Sequence, residues 1–120
     1  MIRFELLTEE NLESVWELEK VCFQDPWTLK MFESEIDNDI SVFIVAVDEE
    51  TDNVVAYAGV WLTLDFGDIT NIAVHPDYRR EGLGSRLLST VIDLIFPFWC
   101  IFCEFSVIIL IVKTEYDILK

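Results

Sequence analysis

"ITNIAVHPDYRREGLGSRLLS", residues 69–89, carries three local signals in succession. From Ile69 to Val74 the residues are mostly apolar or β-branched, which reads as a strand. His75, Pro76, Asp77 and Tyr78 end it, since proline and aspartate favour turns. A segment holding Gly82 and Gly84 then opens a helix with Leu83, Leu87, Leu88, Val91 and Ile95 at helical spacing. Pro97 stops that helix, because Phe96 before it is pushed out of the α region.

The same stretch is an electrostatic exception. The chain has 23 acidic and 8 basic residues, a net charge of −15, yet Arg79, Arg80 and Arg86 fall together here. A strand, a glycine-containing loop and a helix mouth form an anion-binding arrangement. The first N–H groups of a helix lack internal partners, and the helix dipole favours negative charge there. Glycines let backbone approach the anion, and arginines add forked donors. The Walker pattern is absent, and the dinucleotide pattern G-x-G-x-x-G that begins at Gly82 meets Leu87 at its third glycine.

Working outward, Ile2 to Leu7 reads as a first strand, and Thr8 as the cap of a helix with Glu9 and Glu10 in its first turn. Leu12, Val15, Trp16 and Cys22 give that helix an apolar face. "QDPWT" breaks it, and Thr28 caps a second helix carrying Leu29, Phe32 and Ile36. "SVFIVAV", the polar turn "DEETDN" and "VVAYAGVWLTL" form a hairpin, and "DFGD" turns into "ITNIAV". A last strand, about Ile101 to Val107, would run parallel to "ITNIAV" through a right-handed crossover. The order β-α-α-β-β-β-α-β predicts an α/β fold, a mixed central sheet with helices on both faces.

Composition narrows the class. With 120 residues and 52% apolar content, one domain spanning 1–120 with a sizeable core is expected, not a disordered chain. The acidity argues against nucleic-acid binding, which needs phosphate-neutralising cations. Cys22, Cys100 and Cys103 give no disulfide framework, and Cys100-x-x-Cys103 without a second pair reads as packing, so no metal is expected. The start has no signal-peptide pattern, which makes a reducing cytoplasm the expected location. Residues 94–112 are long and apolar enough to suggest a membrane span, but Glu104 at the centre and Pro97 at the start weigh against one. A buried strand gives the same apolar run.

Arg79-x-x-Gly82-x-Gly84, set directly after "NIAVHPDY", resembles the pyrophosphate loop of the GNAT superfamily of acetyl-CoA-dependent N-acetyltransferases. "ELEKVCFQDPWT" and "AGVWLTLDFGDITNIAV" resemble its RimI-type members, which acetylate the N-terminal alanine of a small-subunit ribosomal protein. The resemblance implies the GNAT (acyl-CoA N-acyltransferase) fold and acetyl-CoA as cosubstrate. It puts the pantetheine arm along Ile72, Ala73 and Val74, with an N–H near Val74 polarising the thioester carbonyl. The diphosphate is expected on Arg79, Arg80, Glu81, Gly82, Leu83, Gly84 and Ser85. By the same resemblance Glu104 in "IFCEFSV" is the base that deprotonates the acceptor's α-amine, and Tyr116 the acid that protonates the departing CoA thiolate. The acceptor is then a protein or peptide N-terminus.

Beyond about residue 95 the resemblance weakens. Ile109 stands where the family has an asparagine that contacts CoA, and "FSVIILIVKTEYDILK" replaces an alanine-rich helix. No residues are left for the family's last two strands, so the expected domain is C-terminally incomplete, by truncation or a shifted reading frame. Three functional readings stand: an N-terminal acetyltransferase, a degenerate module that binds CoA or a partner without turnover, and a membrane-associated protein anchored by residues 94–112. Oligomeric state has no sequence signal.

Overall fold

The computed structural model describes residues 1–63 and 67–95. Along the chain run β1 (Ile2–Leu6), α1 (Leu12–Cys22), α2 (Leu29–Ile36), β2 (Ser41–Asp48), β3 (Asn53–Leu62), β4 (Gly67–Val74), a 3-10 turn (Pro76–Tyr78) and α3 (Leu83–Ile95). This is the order expected from the sequence as far as α3. The four strands lie in the order β1-β2-β3-β4 with every neighbouring pair antiparallel. The fifth strand, whose parallel pairing would make the sheet mixed, lies outside the described residues.

Both faces of the sheet are covered, which is why β2 and β3 read as continuous apolar runs and not as alternating ones. On one face Phe43, Val45, Val47, Tyr57 and Ala73 pack with Leu12, Val15 and Leu18 of α1 and Phe32 of α2. On the other, Ile44, Ala46, Ala58, Val60 and Val74 meet Leu83, Leu87, Leu88 and Val91 of α3. Fully buried side chains of this size each contribute roughly 1.5–3 kcal/mol. The i, i+4, i+5, i+8 spacing of the α3 leucines and valine therefore becomes the force that seats the helix, and its loop, against β4.

One local expectation fails. Thr8 does not cap α1: the helix starts at Leu12 with Asn11 at the N-cap, and only Glu13 is acidic in the first turn. Residues Thr8–Asn11 close a turn instead, with the Asn11 N–H on the Thr8 carbonyl at 3.3 Å. The buried Asn11 side chain accepts from the Thr8 N–H at 2.9 Å and donates to Glu5 and to the Leu6 carbonyl. Those bonds tie β1 to the helix start and leave Thr8 no helical role. Thr28 does cap α2, its hydroxyl accepting from the Met31 N–H at 3.2 Å.

A bulge marks β4. Gly59 of β3 pairs with Asn71 and Val60 with Ile69, so Thr70 is an extra residue in the ladder. Gly59 itself has a packing reason: a Cβ there would lie 2.2 Å from the Phe43 ring.

Candidate active site

The strand β4 has one edge paired with β3, and no described strand covers the other. The His75 N–H bonds the Val55 carbonyl at 2.8 Å. Because antiparallel backbone groups alternate in direction, Ile72 and Val74 turn theirs to the opposite edge. The Val74 carbonyl on that edge accepts from Arg79 Nε at 2.9 Å and from Cys22 Sγ at 3.5 Å. Sequence reasoning gave Arg79 to an anion; the structure also uses its side chain to fold the loop back over the strand end. Burial pushes the Cys22 thiol up from its ordinary pKa, and the Arg79 guanidinium opposes that shift.

The loop is held from below. His75 Nδ1 accepts from the Asp77 N–H at 3.1 Å, and the Tyr78 hydroxyl donates to Asp48 Oδ2 at 2.5 Å. That bond, with a second from the Glu50 N–H, holds the Asp48 carboxyl below its usual range. The same bond raises the Tyr78 phenol above its own. Asp48 ends β2, so the pair pins the turn after β4 to the sheet.

Beyond Tyr78 the backbone becomes unusual. Arg80 has φ 65° and Gly82 φ 78°, two left-handed residues around Glu81. A non-glycine residue there is strained, and such strain concentrates at binding loops. Left-handed turns gather successive N–H groups into an anion-holding concavity. The Gly82 carbonyl accepts from the Arg86 N–H at 3.0 Å, which makes Gly82 the residue before the first helical N–H of α3. A Cβ placed on Gly82 would meet nothing within 4 Å. Open space at a helix mouth, with exposed Arg79 and Arg80 just before it in the chain, suits an anion.

The expected cofactor residues are therefore brought together, with divided roles. Arg79, Arg80, Glu81 and Gly82 are exposed, whereas Leu83 and Gly84 are buried in the first turn of α3 and Ser85 is half-buried. Leu83 and Gly84 can offer backbone only. Ala73 and Val74 are buried and Ile72 half-buried along β4. Glu104 and Tyr116 lie outside the described residues. So do Cys100 and Cys103. Among the described residues no group of His, Cys, Asp or Glu is placed to hold a metal ion, and no helix is long and apolar enough to cross a membrane.

Sequence reasoning missed a buried polar chain beside β4. Glu19 of α1 is 2% exposed, yet it accepts from the Trp27 N–H at 3.3 Å and from the Tyr57 hydroxyl. Asn71 Nδ2 donates to the Tyr57 oxygen at 2.8 Å. Burial first, then the bond to Glu19, raises the Tyr57 phenol well above its ordinary pKa, so it stays a neutral donor. The ring is fixed by stacking on Phe43 and by an edge contact with Phe32. The only sequence signal was a glutamate on the apolar face of α1, at the position that faces the sheet between Val15 and Cys22.

An antiparallel sheet covered by α1 and α2 on one face and α3 on the other, with a left-handed turn between β4 and α3, defines the acyl-CoA N-acyltransferase fold. The chain belongs to the acetyltransferase (GNAT) family, whose pattern matches residues 12–106. It is 34% identical over 86 residues to a Bacillus subtilis relative, covering 71% of this chain and 56% of that one. It is 32% identical over 89 residues to the ribosomal protein bS18-alanine N-acetyltransferase of Salmonella typhimurium, covering 73% of this chain and 57% of the other. The chain thus spans little more than half the length of these curated relatives. The crystal structure of the Escherichia coli ribosomal-protein-S18-alanine N-acetyltransferase superposes with a TM-score of 0.70 at 29% identity, covering 79% of this chain and 59% of that one. Arabidopsis thaliana NAA60, solved in complex with acetyl-CoA, shares the fold with a TM-score of 0.68 at 15% identity, covering 78% of this chain and 67% of that one.

Proposed function

We propose that this protein transfers an acetyl group from acetyl-CoA to a protein N-terminal α-amine, with the N-terminal alanine of ribosomal protein bS18 as the acceptor. The observation that carries the reading is the open left-handed turn at Gly82, at the mouth of α3 and directly after the exposed edge of β4. The diphosphate of CoA fits the backbone of residues 79–85, held by the dipole of α3 and the two arginines. The pantetheine arm extends along Ile72, Ala73 and Val74, where outward N–H groups stabilise the oxyanion that develops on the thioester carbonyl. An α-amine has a pKa near 8 in a model peptide, so a base must remove its proton at neutral pH. Glu104 takes that role and Tyr116 returns a proton to the thiolate. The acceptor alanine rests on the likeness to the bS18-specific relatives. No metal takes part, and the enzyme works in the cytoplasm.

The test is mass spectrometry of an alanine-starting basic peptide incubated with the protein and acetyl-CoA. A mass gain of one acetyl group at the α-amine is expected, and Glu104→Gln should slow it by roughly 100-fold or more. Binding of CoA with no acetylated product refutes transfer and leaves a binding module.

A further inference from the structure

The hydrogen bonds among Glu19, Tyr57 and Asn71 have a direction. A carboxylate only accepts, so the Tyr57 hydroxyl spends its single proton on Glu19. The Tyr57 oxygen must then accept from its other neighbour, and Asn71 Nδ2 is the donor. Turning the amide over would set two acceptors face to face. The orientation is therefore dictated, and it leaves Asn71 Oδ1 on the far side of the amide, buried and without a hydrogen-bond partner among the described residues. Native proteins keep few buried polar atoms unpartnered, and those they keep usually meet a ligand or a water.

Placement indicates which ligand. Asn71 directly precedes Ile72, immediately after the Thr70 bulge, on the face of the sheet where α1 and α2 meet. On the reading proposed above, an arm laid along β4 from the α3 loop brings its acyl end to Ile72. We infer that Asn71 Oδ1 receives an N–H of the acceptor's α-amine, and that Tyr57 and Glu19 are positioning residues that hold it in place. Glu19 accepts from the Tyr57 hydroxyl, and that bond polarises the Asn71 amide in turn and strengthens Oδ1 as an acceptor. One N–H held on Oδ1 leaves the nitrogen's remaining valence free to face the thioester once its proton is removed. A trimethylated N-terminus carries no N–H and cannot make this bond, so the site selects an amine that keeps one.

The test needs no turnover. Calorimetry of the full chain with CoA present compares an alanine-starting peptide with its Nα-trimethylated twin. The free-amine peptide should bind more tightly. Asn71→Leu should weaken it roughly ten- to a hundredfold, the worth of a hydrogen bond to a charged group, and leave the trimethylated twin unchanged. The melting temperature reads the structural effect separately, since the substitution removes the orphan acceptor together with the Asn71 bond to the Tyr57 oxygen. Asn71→Ala gives the same comparison if leucine does not fit. Tyr57→Phe keeps the amide but frees its orientation, and should lose a smaller factor on the free amine alone. Equal loss on both peptides, unchanged affinity in the Asn71 variants, or no discrimination by the unaltered protein overturns the inference. Failure of acetyl transfer with amine discrimination intact refutes the catalytic reading and leaves this site standing.

Discussion

Gly82→Ala separates a turn from a binding site. Its φ of 78° lies in the left-handed region, where an L-residue costs roughly 1–2 kcal/mol. No atom stands within 4 Å of the new methyl group, so this conformational cost is the whole cost to the protein alone. For a domain of 120 residues it corresponds to a fall in melting temperature of about 4–8 °C. A diphosphate seated against the first N–H groups of α3 meets that methyl directly. Displacing it from even one charge-assisted hydrogen bond removes about 1.5–3 kcal/mol, a loss of more than tenfold in CoA affinity. Thermal melting without ligand and calorimetric titration with CoA measure the two effects separately. Gly82→Asn is the control: asparagine tolerates the left-handed region, so the melting temperature should fall less while CoA binding suffers as much. If CoA affinity recovers in step with stability, or never falls, Gly82 is only a turn residue.

Three further outcomes follow from the packing. Gly59→Ala drives a methyl into the Phe43 ring, itself fixed between Phe32, Trp27 and Tyr57, and should destabilise by about 1–3 kcal/mol or more in urea titration. Arg79→Glu should weaken CoA at least tenfold; by removing the cation that opposes the rise of the Cys22 thiol, it should also slow alkylation of Cys22 followed by peptide mapping. Tyr78→Phe acts through pH. The depressed Asp48 carboxyl contributes stability above the ordinary carboxylate value of about 4 that is lost on acidification, and the raised Tyr78 phenol contributes stability below about pH 10 that is lost above it. Melting temperatures across pH should therefore fall less at both ends in the variant than in the unaltered protein. An unchanged profile would show the bond has no energetic role.

The parts of the fold legible in sequence were those with local causes. The Thr28 cap, the polar turn after β2, the strand to Val74 and the helical spacing from Leu83 each depend on residues within a turn or two. Thr8 misled because its competitor, Asn11, is set by bonds back to β1. The turn before α3 was legible from Gly82 and Gly84, but the strained φ of Arg80 was not, since arginine is an ordinary residue for any other conformation. The Glu19–Tyr57–Asn71 chain joins residues 38 and 14 positions apart, and no periodicity announces such a meeting. Tyr57 in "VVAYAGV" read simply as one apolar strand residue among others.

The Thr70 bulge acts as a spare link. Ile69 packs toward α3, as do Ile72 and Val74, whereas Ala73 faces α1 and Asn71 reaches Tyr57. Uninterrupted alternation from Val74 back along the strand would send Ile69 to the wrong side. Removing Thr70 would restore alternation without turning over any neighbour, and would discard a buried hydroxyl that has no partner among the described residues. A chain shortened by that one residue should thus fold as well as or better than its parent, yet lose the kink that aims the strand beside Asn71. The extra residue thus changes how the strand bends without changing which side its neighbours face.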